Sequence, residues 1–414
     1  MTVAGALGAV TGVEAIRRRF PALARMHRGQ PVAYFDGPGG TQVPTVVADA
    51  MSDYLFHHNA NTHWAYPTSV ETDGLLAAAR SALADFLNAT PDEIAFGLNM
   101  TTLTFHLSRA LGREWSAGDE VIITELDHHG NVAPWQALAR ERGIVLRTIP
   151  LRVEDGTLDL GVLPRLFGPK TRLLAIGAAS NVLGTITDVS AACSMARQAG
   201  VLLFVDAVHA APHVLLDVQA IGCDFLGCSA YKFYGPHVGV LFGRKSRIEA
   251  LDLPRLLPAP DYAPERLETG TQNHEGIVGA AAAVDFLAGL GTGVTRRSRL
   301  ASALSEMHDR GALLLAQLWE ALSAERRIRL YGPPPDAQRT ATLSFTVSGL
   351  DAESVSRRLA DSGVFVSHGD FYAPTILVRL GVLDTGLVRA GCACYTTESE
   401  VDRLIGAVRS LFPR

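Results

Sequence analysis

The sequence predicts an α/β protein in which a large domain is built on a mostly parallel sheet and a smaller α+β domain follows it. The chain has 414 residues, of which 48% are hydrophobic, enough for a large core and two domains. Between residues 75 and 245, short apolar β-rich runs alternate with helical stretches. This alternation is typical of a parallel sheet covered by helices. Beyond residue 276 the order of helical and strand-like runs changes, which indicates the second domain.

The strands and helices of the large domain follow from these runs. Buried strands are predicted at residues 121–124, 145–148, 172–176, 201–205 and 238–242. Helices are predicted between them at residues 133–142, 189–200 and 214–221. Because ligands bind beyond the carboxyl ends of parallel strands, side chains directly after these strands are candidates for a common site. These side chains are His128, Asn181 and Asp206.

The smaller domain is predicted from the C-terminal third of the chain. A long helical region at residues 276–324 leads out of the large domain. The stretches that follow indicate an α+β unit, at residues 339–347, 353–362, 364–367, 387–394 and 398–411. We therefore divide the chain into an N-terminal arm (1–30), a large domain (31–290) and a small domain (291–414) with which the N-terminal segment packs. The first ten residues are apolar but lack a basic start, which favours an arm over a signal peptide.

Composition limits the classes of function. A net charge of -5 argues against nucleic acid as the main partner, and no apolar run is long enough to predict a transmembrane helix. We expect a cytoplasmic protein without a metal site. Its five cysteines form no CxxC pair, and their odd number argues against a disulfide framework. Cys392 and Cys394 are spaced to face the same side of a predicted strand.

Two residues suggest a pyridoxal phosphate site. Lys232 lies in the run 224–236, and Asp206 directly follows the predicted strand 201–205. A lysine amine can hold the cofactor aldehyde as a Schiff base, and a carboxylate can keep the pyridine nitrogen protonated. Each residue alone has an ordinary explanation, a surface lysine with a packed stem or a helix cap. Lys232 and Asp206 therefore indicate this cofactor only together with further matching stretches of the chain.

Those stretches resemble the cysteine desulfurase branch of the class V, fold-type I pyridoxal phosphate enzymes, in order and in spacing, from about residue 32 to 411. They are residues 34–42, 99–102, 125–135, 180–185, 206–209, 229–232, 268–273 and 389–397. The resemblance implies a fold-type I transferase with a seven-stranded sheet, an amino acid substrate and a homodimer with shared active sites. It also implies that Lys232, Asp206 and His128 are catalytic.

Several residues are expected to bind the cofactor phosphate. Thr101 and Thr102 precede a helical run, and a helix start can bind a phosphate dianion. The resemblance adds Ser229, and also Tyr231 at a position where the family often has His. It further implies that Thr271 reaches the phosphate of the neighbouring subunit.

The resemblance assigns the remaining site residues to the cofactor ring and the substrate. His128 matches an imidazole that stacks on the ring. Asn181 and His209 match partners of its phenolic oxygen, although desulfurases usually carry Gln at the second position. Arg389 matches the residue that binds the substrate carboxylate, a task that suits a bidentate guanidinium.

One departure bears on the reaction. Desulfurases of this family carry a loop cysteine that becomes a persulfide, whereas residues 367–374 contain none and place Tyr372 near the expected position, where we expect it to contact substrate. We therefore expect a lyase that cleaves a C–S or other Cβ–X bond by Cα deprotonation and β-elimination. The alternatives are a class V aminotransferase, an epimerase or racemase, and a pyridoxal-phosphate-binding protein without turnover.

Overall fold

A computed structural model describes residues 10–412, so the first nine residues of the predicted arm lie outside the described residues. Its large sheet has seven strands. From edge to edge they are Ile94–Gly97, Gly239–Gly243, Phe225–Ser229, Leu202–Asp206, Thr171–Gly177, Glu120–Thr124 and Val145–Ile149. Gly239–Gly243 is antiparallel to both neighbours, and the other strands share one direction. The predicted mostly parallel seven-stranded sheet is confirmed.

The sheet contains the five predicted strands and two strands that were not predicted from the sequence. Ile94–Gly97 is one of these, and Phe225–Ser229 is the other. Phe225–Ser229 is buried at all five positions. A fully buried strand lacks the polar alternation that would have marked it, and Gly227 lowers its apparent β propensity.

The described residues contain fourteen α-helices. They are Val13–Arg17, Thr45–Asp53, Pro67–Leu87, Met100–Gly112, Ala133–Arg142, Leu163–Leu166, Val189–Gln198, Val218–Ile221, Lys245–Ala250, His274–Ala288, Arg296–Ser323, Ala352–Asp361, Pro374–Leu380 and Glu398–Arg409. The helix predicted at 133–142 is confirmed. The helix predicted at 214–221 is shorter, because the Asp217 side chain accepts the backbone N–H groups of Gln219 and Ala220 and so begins it at Val218.

The smaller sheet is antiparallel, in the order Ile328–Tyr331, Thr342–Val347, Leu387–Gly391 and Ser367–Gly369. The N-terminal segment joins this part, since Ala33–Tyr34 pairs with Val364–Phe365. Arg296–Ser323 connects two hydrophobic cores, with Leu304 in the core of the large sheet and Leu318 in that of the small one. The proposed domain limits at residues 30 and 290 stay a prediction.

The prediction that Cys392 and Cys394 share one strand face is wrong. The strand Leu387–Gly391 ends before them. Cys392 packs in the core of the small sheet, whereas Cys394 packs in the core of the large sheet. All five cysteines lie within residues 10–412, and all are buried and free. Within the same part of the chain, no helix is both long and apolar enough to cross a membrane.

Candidate active site

A cleft of about 880 Å³ lies between the two sheets, at the carboxyl ends of the parallel strands. It brings together residues that are far apart in the sequence. All but one of the predicted site residues line it, namely Thr101, Thr102, His128, Asn181, Asp206, His209, Ser229, Tyr231, Lys232, Tyr372 and Arg389. Thr271 is exposed and is not among the lining residues.

Lys232 lies in a short turn, Ala230–Lys232, that follows the buried strand Phe225–Ser229. Its amine donates hydrogen bonds to the carbonyl oxygens of Pro38 at 2.5 Å and Gly39 at 3.0 Å. Burial and the positive charge of Arg389 lower the pKa of Lys232 to about 7. A neutral, nucleophilic amine is therefore available at neutral pH.

Asp206 ends its strand and has only 7% of its surface exposed. Its Oδ1 accepts a hydrogen bond from the Val208 N–H at 2.9 Å. Burial raises the pKa of Asp206 to about 6, against the opposing effects of that hydrogen bond and of Lys232. The carboxylate is thus charged at pH 7 and is poised to meet a positive group.

A second carboxyl group, Asp127, also lines the cleft and was not predicted as a site residue. It accepts hydrogen bonds from the Gly177 N–H and the Asn131 amide, both at 2.9 Å. Burial, together with the charge of Asp206, raises the pKa of Asp127 to about 7. Its position shortly after the strand Glu120–Thr124 was a signal in the sequence that could have identified it.

The helix Met100–Gly112 begins at the cleft. Its cap, Asn99, accepts the Thr102 N–H at 2.9 Å, and the Ser229 hydroxyl accepts the Met100 N–H at 3.0 Å. The positive end of the helix dipole and the Thr101 hydroxyl thus lie at the cleft, which is the chemistry of an anion site, whereas the Thr102 hydroxyl donates to the Asn99 carbonyl oxygen at 2.9 Å. Nearby, the Tyr231 ring stacks on His237 at 4.9 Å between centroids.

His128 lies at the beginning of a turn after the strand Glu120–Thr124, where its Nδ1 accepts the Gly130 N–H at 2.9 Å. Burial and the charges of Lys232 and Arg389 lower the pKa of His128 to about 4. The ring is therefore neutral at pH 7, as suits stacking on another ring.

His209 is 4% exposed, and its Nε2 lies 3.1 Å from the hydroxyls of both Thr340 and Thr342. Burial lowers the pKa of His209 well below its ordinary value, and the neighbouring His213 adds to this effect. The hydroxyl of Thr342 in the small sheet and that of Thr340 just before it thus fix a neutral imidazole at the cleft.

Arg389 lies on the strand Leu387–Gly391 and is 4% exposed. One of its amino groups donates to the Asn181 carbonyl oxygen at 2.8 Å, and its guanidinium lies 4.1 Å from the centre of the Phe371 ring. Burial lowers the pKa of Arg389 to about 9, so it stays charged at pH 7. The contact with Phe371 was not predicted and has no signal in the local sequence.

The segment Asp370–Tyr372 borders the cleft beside His128. Phe371 and Tyr372 both have positive φ, 55° and 56°. Such conformations cost about 1–3 kcal/mol each and persist only when the surroundings fix them. Here the Asn181 amide donates to the Phe371 carbonyl oxygen at 2.9 Å, and the His129 N–H donates to that of Tyr372 at 2.6 Å.

Buried polar atoms at the cleft fit a polar ligand. Arg389 Nε and Asn181 Oδ1 have no hydrogen-bond partner among residues 10–412. Such atoms are costly unless a ligand or water meets them. The cleft also offers the Lys232 amine, the Asp206 carboxylate and the helix start at Met100. These groups suit the aldehyde, the ring nitrogen and the phosphate of pyridoxal phosphate, and Arg389 suits the carboxylate of an amino acid.

Comparison with known proteins decides the family. Residues 33–404 match the family model described as aminotransferase class-V. The chain belongs to this family. A cysteine desulfurase of Serratia proteamaculans is 35% identical to this class-V protein over 415 residues, covering 96% of this chain and 98% of the relative.

Solved structures agree with this assignment. The class-V protein resembles the apo structure of the cysteine desulfurase from Thermococcus onnurineus, with a TM-score of 0.88, 27% identity and coverage of 98% and 99% of the two chains. It also resembles a cysteine desulfurase of Escherichia coli, with a TM-score of 0.83, 28% identity and coverage of 97% and 98%. The protein is a cysteine desulfurase-like, pyridoxal-phosphate-dependent enzyme that acts on an amino acid. The predicted fold-type I architecture is confirmed.

Proposed function

We propose that this class-V enzyme is a β-lyase that cleaves the Cβ–S bond of a sulfur-containing amino acid without a protein persulfide. The observation that carries the proposal is the composition of the segment 367–374. This segment borders the cleft beside His128 and Arg389, and it contains no cysteine. None of the five cysteines, all of which are described, lines the cleft.

The cysteines nearest to this segment in the sequence are poor nucleophiles. Burial raises the pKa of both Cys392 and Cys394 to about 12. Since the thiolate is the reactive form, both thiols are inert at neutral pH. Sulfur must therefore leave directly from the substrate, as sulfide or as a thiol.

The residues of the cleft are suited to hold pyridoxal phosphate. Lys232 would hold its aldehyde carbon, and Asp206 its ring nitrogen. His128 would stack on the ring, and Asn181 and His209 would bind the phenolic oxygen. The helix start with Thr101, together with Ser229 and Tyr231, would bind the phosphate, and Thr102 would join them once its hydroxyl turned from the Asn99 carbonyl oxygen. When bound, the cofactor withdraws electrons from the amino acid Cα and so eases removal of its proton.

The chain's own groups then direct the reaction. Arg389 binds the substrate carboxylate, and its buried Nε, which has no partner in the described part of the chain, can donate to it. Lys232, with a pKa near 7, removes the Cα proton and can return it to the leaving group. The Cβ–S bond breaks with its electron pair on sulfur, which takes a proton. One water then hydrolyses the remaining three-carbon fragment to pyruvate and ammonia.

The proposed assembly is a homodimer with shared active sites. Thr271 is exposed and outside its own cleft, as expected of a residue that serves the partner's cofactor phosphate. The segment 43–70 also exposes large apolar side chains, among them Phe56 at 79% and Trp64 at 61%. Apolar groups exposed to this extent often mark an interface.

Product analysis tests the β-lyase directly. The enzyme loaded with cofactor is incubated with L-cysteine or S-methyl-L-cysteine, and pyruvate, sulfide or thiol, keto acid and Cα deuterium exchange are followed. We expect equal amounts of pyruvate and of sulfide or thiol, lost in Lys232→Ala. Keto acid that retains the sulfur would indicate an aminotransferase, exchange alone an epimerase, and no change a binding protein without turnover.

A further inference from the structure

The segment Asp370–Tyr372 forms a fixed aromatic wall of the cleft. Three hydrogen bonds hold its backbone, from the Asn181 amide, from the His129 N–H and from the Tyr372 N–H to Asp370 Oδ1 at 3.0 Å. Two consecutive bulky residues keep a left-handed conformation that few side chains adopt. These contacts indicate a preformed surface.

The two rings of this wall face different parts of the cleft. Phe371 stacks on the Arg389 guanidinium, and so lies at the proposed carboxylate site. Tyr372 lies farther out, with its ring centre 5.7 Å from that of His128 and 75% of its surface exposed. A substrate held by Arg389 would therefore direct its side chain along an aromatic surface that nothing in the described chain covers.

The cleft has room for a substrate larger than cysteine. Its volume of about 880 Å³, near the upper end of the roughly 300–1,000 Å³ of small-molecule pockets, is shared by the cofactor and the substrate, so it is the exposed Tyr372 ring rather than the volume that favours a bulky substrate. The side chain of cysteine has only two heavy atoms, Cβ and Sγ, and so can cover little of the surface of a tyrosine ring. A planar group on sulfur would cover the ring in an offset or edge-to-face arrangement.

We propose that the preferred substrates are S-substituted cysteines whose sulfur carries an aromatic or other planar group, with the Tyr372 ring as the specificity-determining contact. The proposal rests on the lyase function proposed above. The reaction consumes one water and releases the bulky thiol, pyruvate and ammonia, with no change in overall oxidation state.

Binding of unreactive analogues tests the wall separately from the chemistry. The carboxylate 5-phenylpentanoate has the chain length of S-benzylcysteine, and pentanoate that of S-methylcysteine, and both lack the amine. By calorimetry on the cofactor-loaded enzyme, we expect 5-phenylpentanoate to bind at least tenfold more tightly. Tyr372→Ala should reduce this preference to threefold or less, whereas Tyr372→Phe, the matched control, should keep it.

Turnover provides the second measurement. S-benzyl-L-cysteine should exceed S-methyl-L-cysteine about tenfold in kcat/KM, and Tyr372→Ala should remove that difference. Two results together would overturn the role of Tyr372, even if pyruvate were still released. One is an equal kcat/KM for the two substrates in the unmodified enzyme, and the other is unchanged analogue binding in Tyr372→Ala. Absence of pyruvate from every substrate, with the binding preference intact, would instead overturn the lyase function and retain the wall.

Discussion

At the residue scale, the cleft combines buried charges of both signs. Arg389 lowers the pKa of Lys232 while Asp206 opposes that shift, and burial is the largest effect on both Lys232 and Asp206. The result is a lysine that is half protonated near pH 7 and a carboxylate that is mostly charged there. Groups with pKa values near the working pH are the most effective in proton transfer.

The lowered pKa of Lys232 predicts the pH dependence of its reactivity. In the cofactor-free protein, labelling of Lys232 by trinitrobenzenesulfonate should rise with a midpoint near pH 7 and level off above it, because only the neutral amine reacts. An ordinary lysine, with a pKa near 10.4, would continue to rise well beyond that point. Arg389→Ala should move the midpoint to higher pH. Mass spectrometry of the labelled peptide measures both, and a midpoint near 10 in the unmodified protein would contradict the environment described.

The Asp206 carboxylate is expected to control Cα deprotonation. Asp206→Asn keeps the shape of the side chain but removes the charge that would stabilise a protonated ring nitrogen. We expect Cα deuterium exchange to slow about a thousandfold, which corresponds to about 4 kcal/mol in the barrier. Visible absorbance would verify that the cofactor is still bound. Near-normal exchange in a loaded variant would remove Asp206 from this role.

At the element scale, the start of the helix Met100–Gly112 depends on close packing with a strand. A Cβ on Gly239 would lie 2.5 Å from the Asn99 carbonyl carbon and 2.7 Å from its Cα. Both are backbone atoms, so they cannot rotate away. The strand Gly239–Gly243 therefore fixes the position of the Asn99 cap and, with it, the proposed phosphate site.

This packing predicts that Gly239→Ala displaces the helix start. We expect weaker pyridoxal phosphate binding, by tenfold or more, and a lower free energy of unfolding. The control is Gly406→Ala in the helix Glu398–Arg409, where an added Cβ meets no atom of residues 10–412 within 4 Å. There the exchange should stabilise the fold by about 0.8–1.0 kcal/mol and leave cofactor binding unchanged. Fluorescence titration and chemical denaturation measure both effects, and equal behaviour of the two variants would refute the account.

The elements differ in how far the sequence predicts them. Ala133–Arg142 matches its predicted bounds, because Gly143 ends it in a left-handed conformation that is a clear local signal. The rule that ligands meet at strand ends correctly placed His128, Asn181 and Asp206 in one cleft. The contact of Phe371 with Arg389 depends on how the loop 370–372 packs against the strand Leu387–Gly391. No local sequence pattern predicts such packing.

At the scale of the whole molecule, the cleft exists because two cores are joined. The helix Arg296–Ser323 packs its first half into the core of the large sheet and its second half into that of the small sheet. Asp206 ends a strand of the large sheet, and His128 and Lys232 lie in turns that follow such strands, whereas Arg389 lies on a strand of the small sheet. The relative position of the two parts therefore determines whether substrate and cofactor groups can meet.

The proposed dimer predicts an effect for a residue outside its own cleft. Thr271→Val should weaken pyridoxal phosphate binding about tenfold, since a hydrogen bond to a charged group is worth about 1.5–3 kcal/mol. Thr269→Val, at another exposed position, is the matched control and should change little. Sedimentation velocity should show a dimer for all three proteins. A monomer that binds the cofactor equally well with either substitution would exclude shared active sites.

The central claim is that sulfur leaves without passing through a protein thiol, and mass spectrometry of the intact protein after turnover with L-cysteine tests it most directly. Cys392 and Cys394 are buried, and burial raises both pKa values to about 12. We therefore expect no added sulfur on the protein, free sulfide and pyruvate in solution, and unchanged turnover in the double variant Cys392→Ser/Cys394→Ser. A persulfide on either cysteine, together with loss of turnover in that variant, would contradict the account and indicate a desulfurase with a relocated nucleophile.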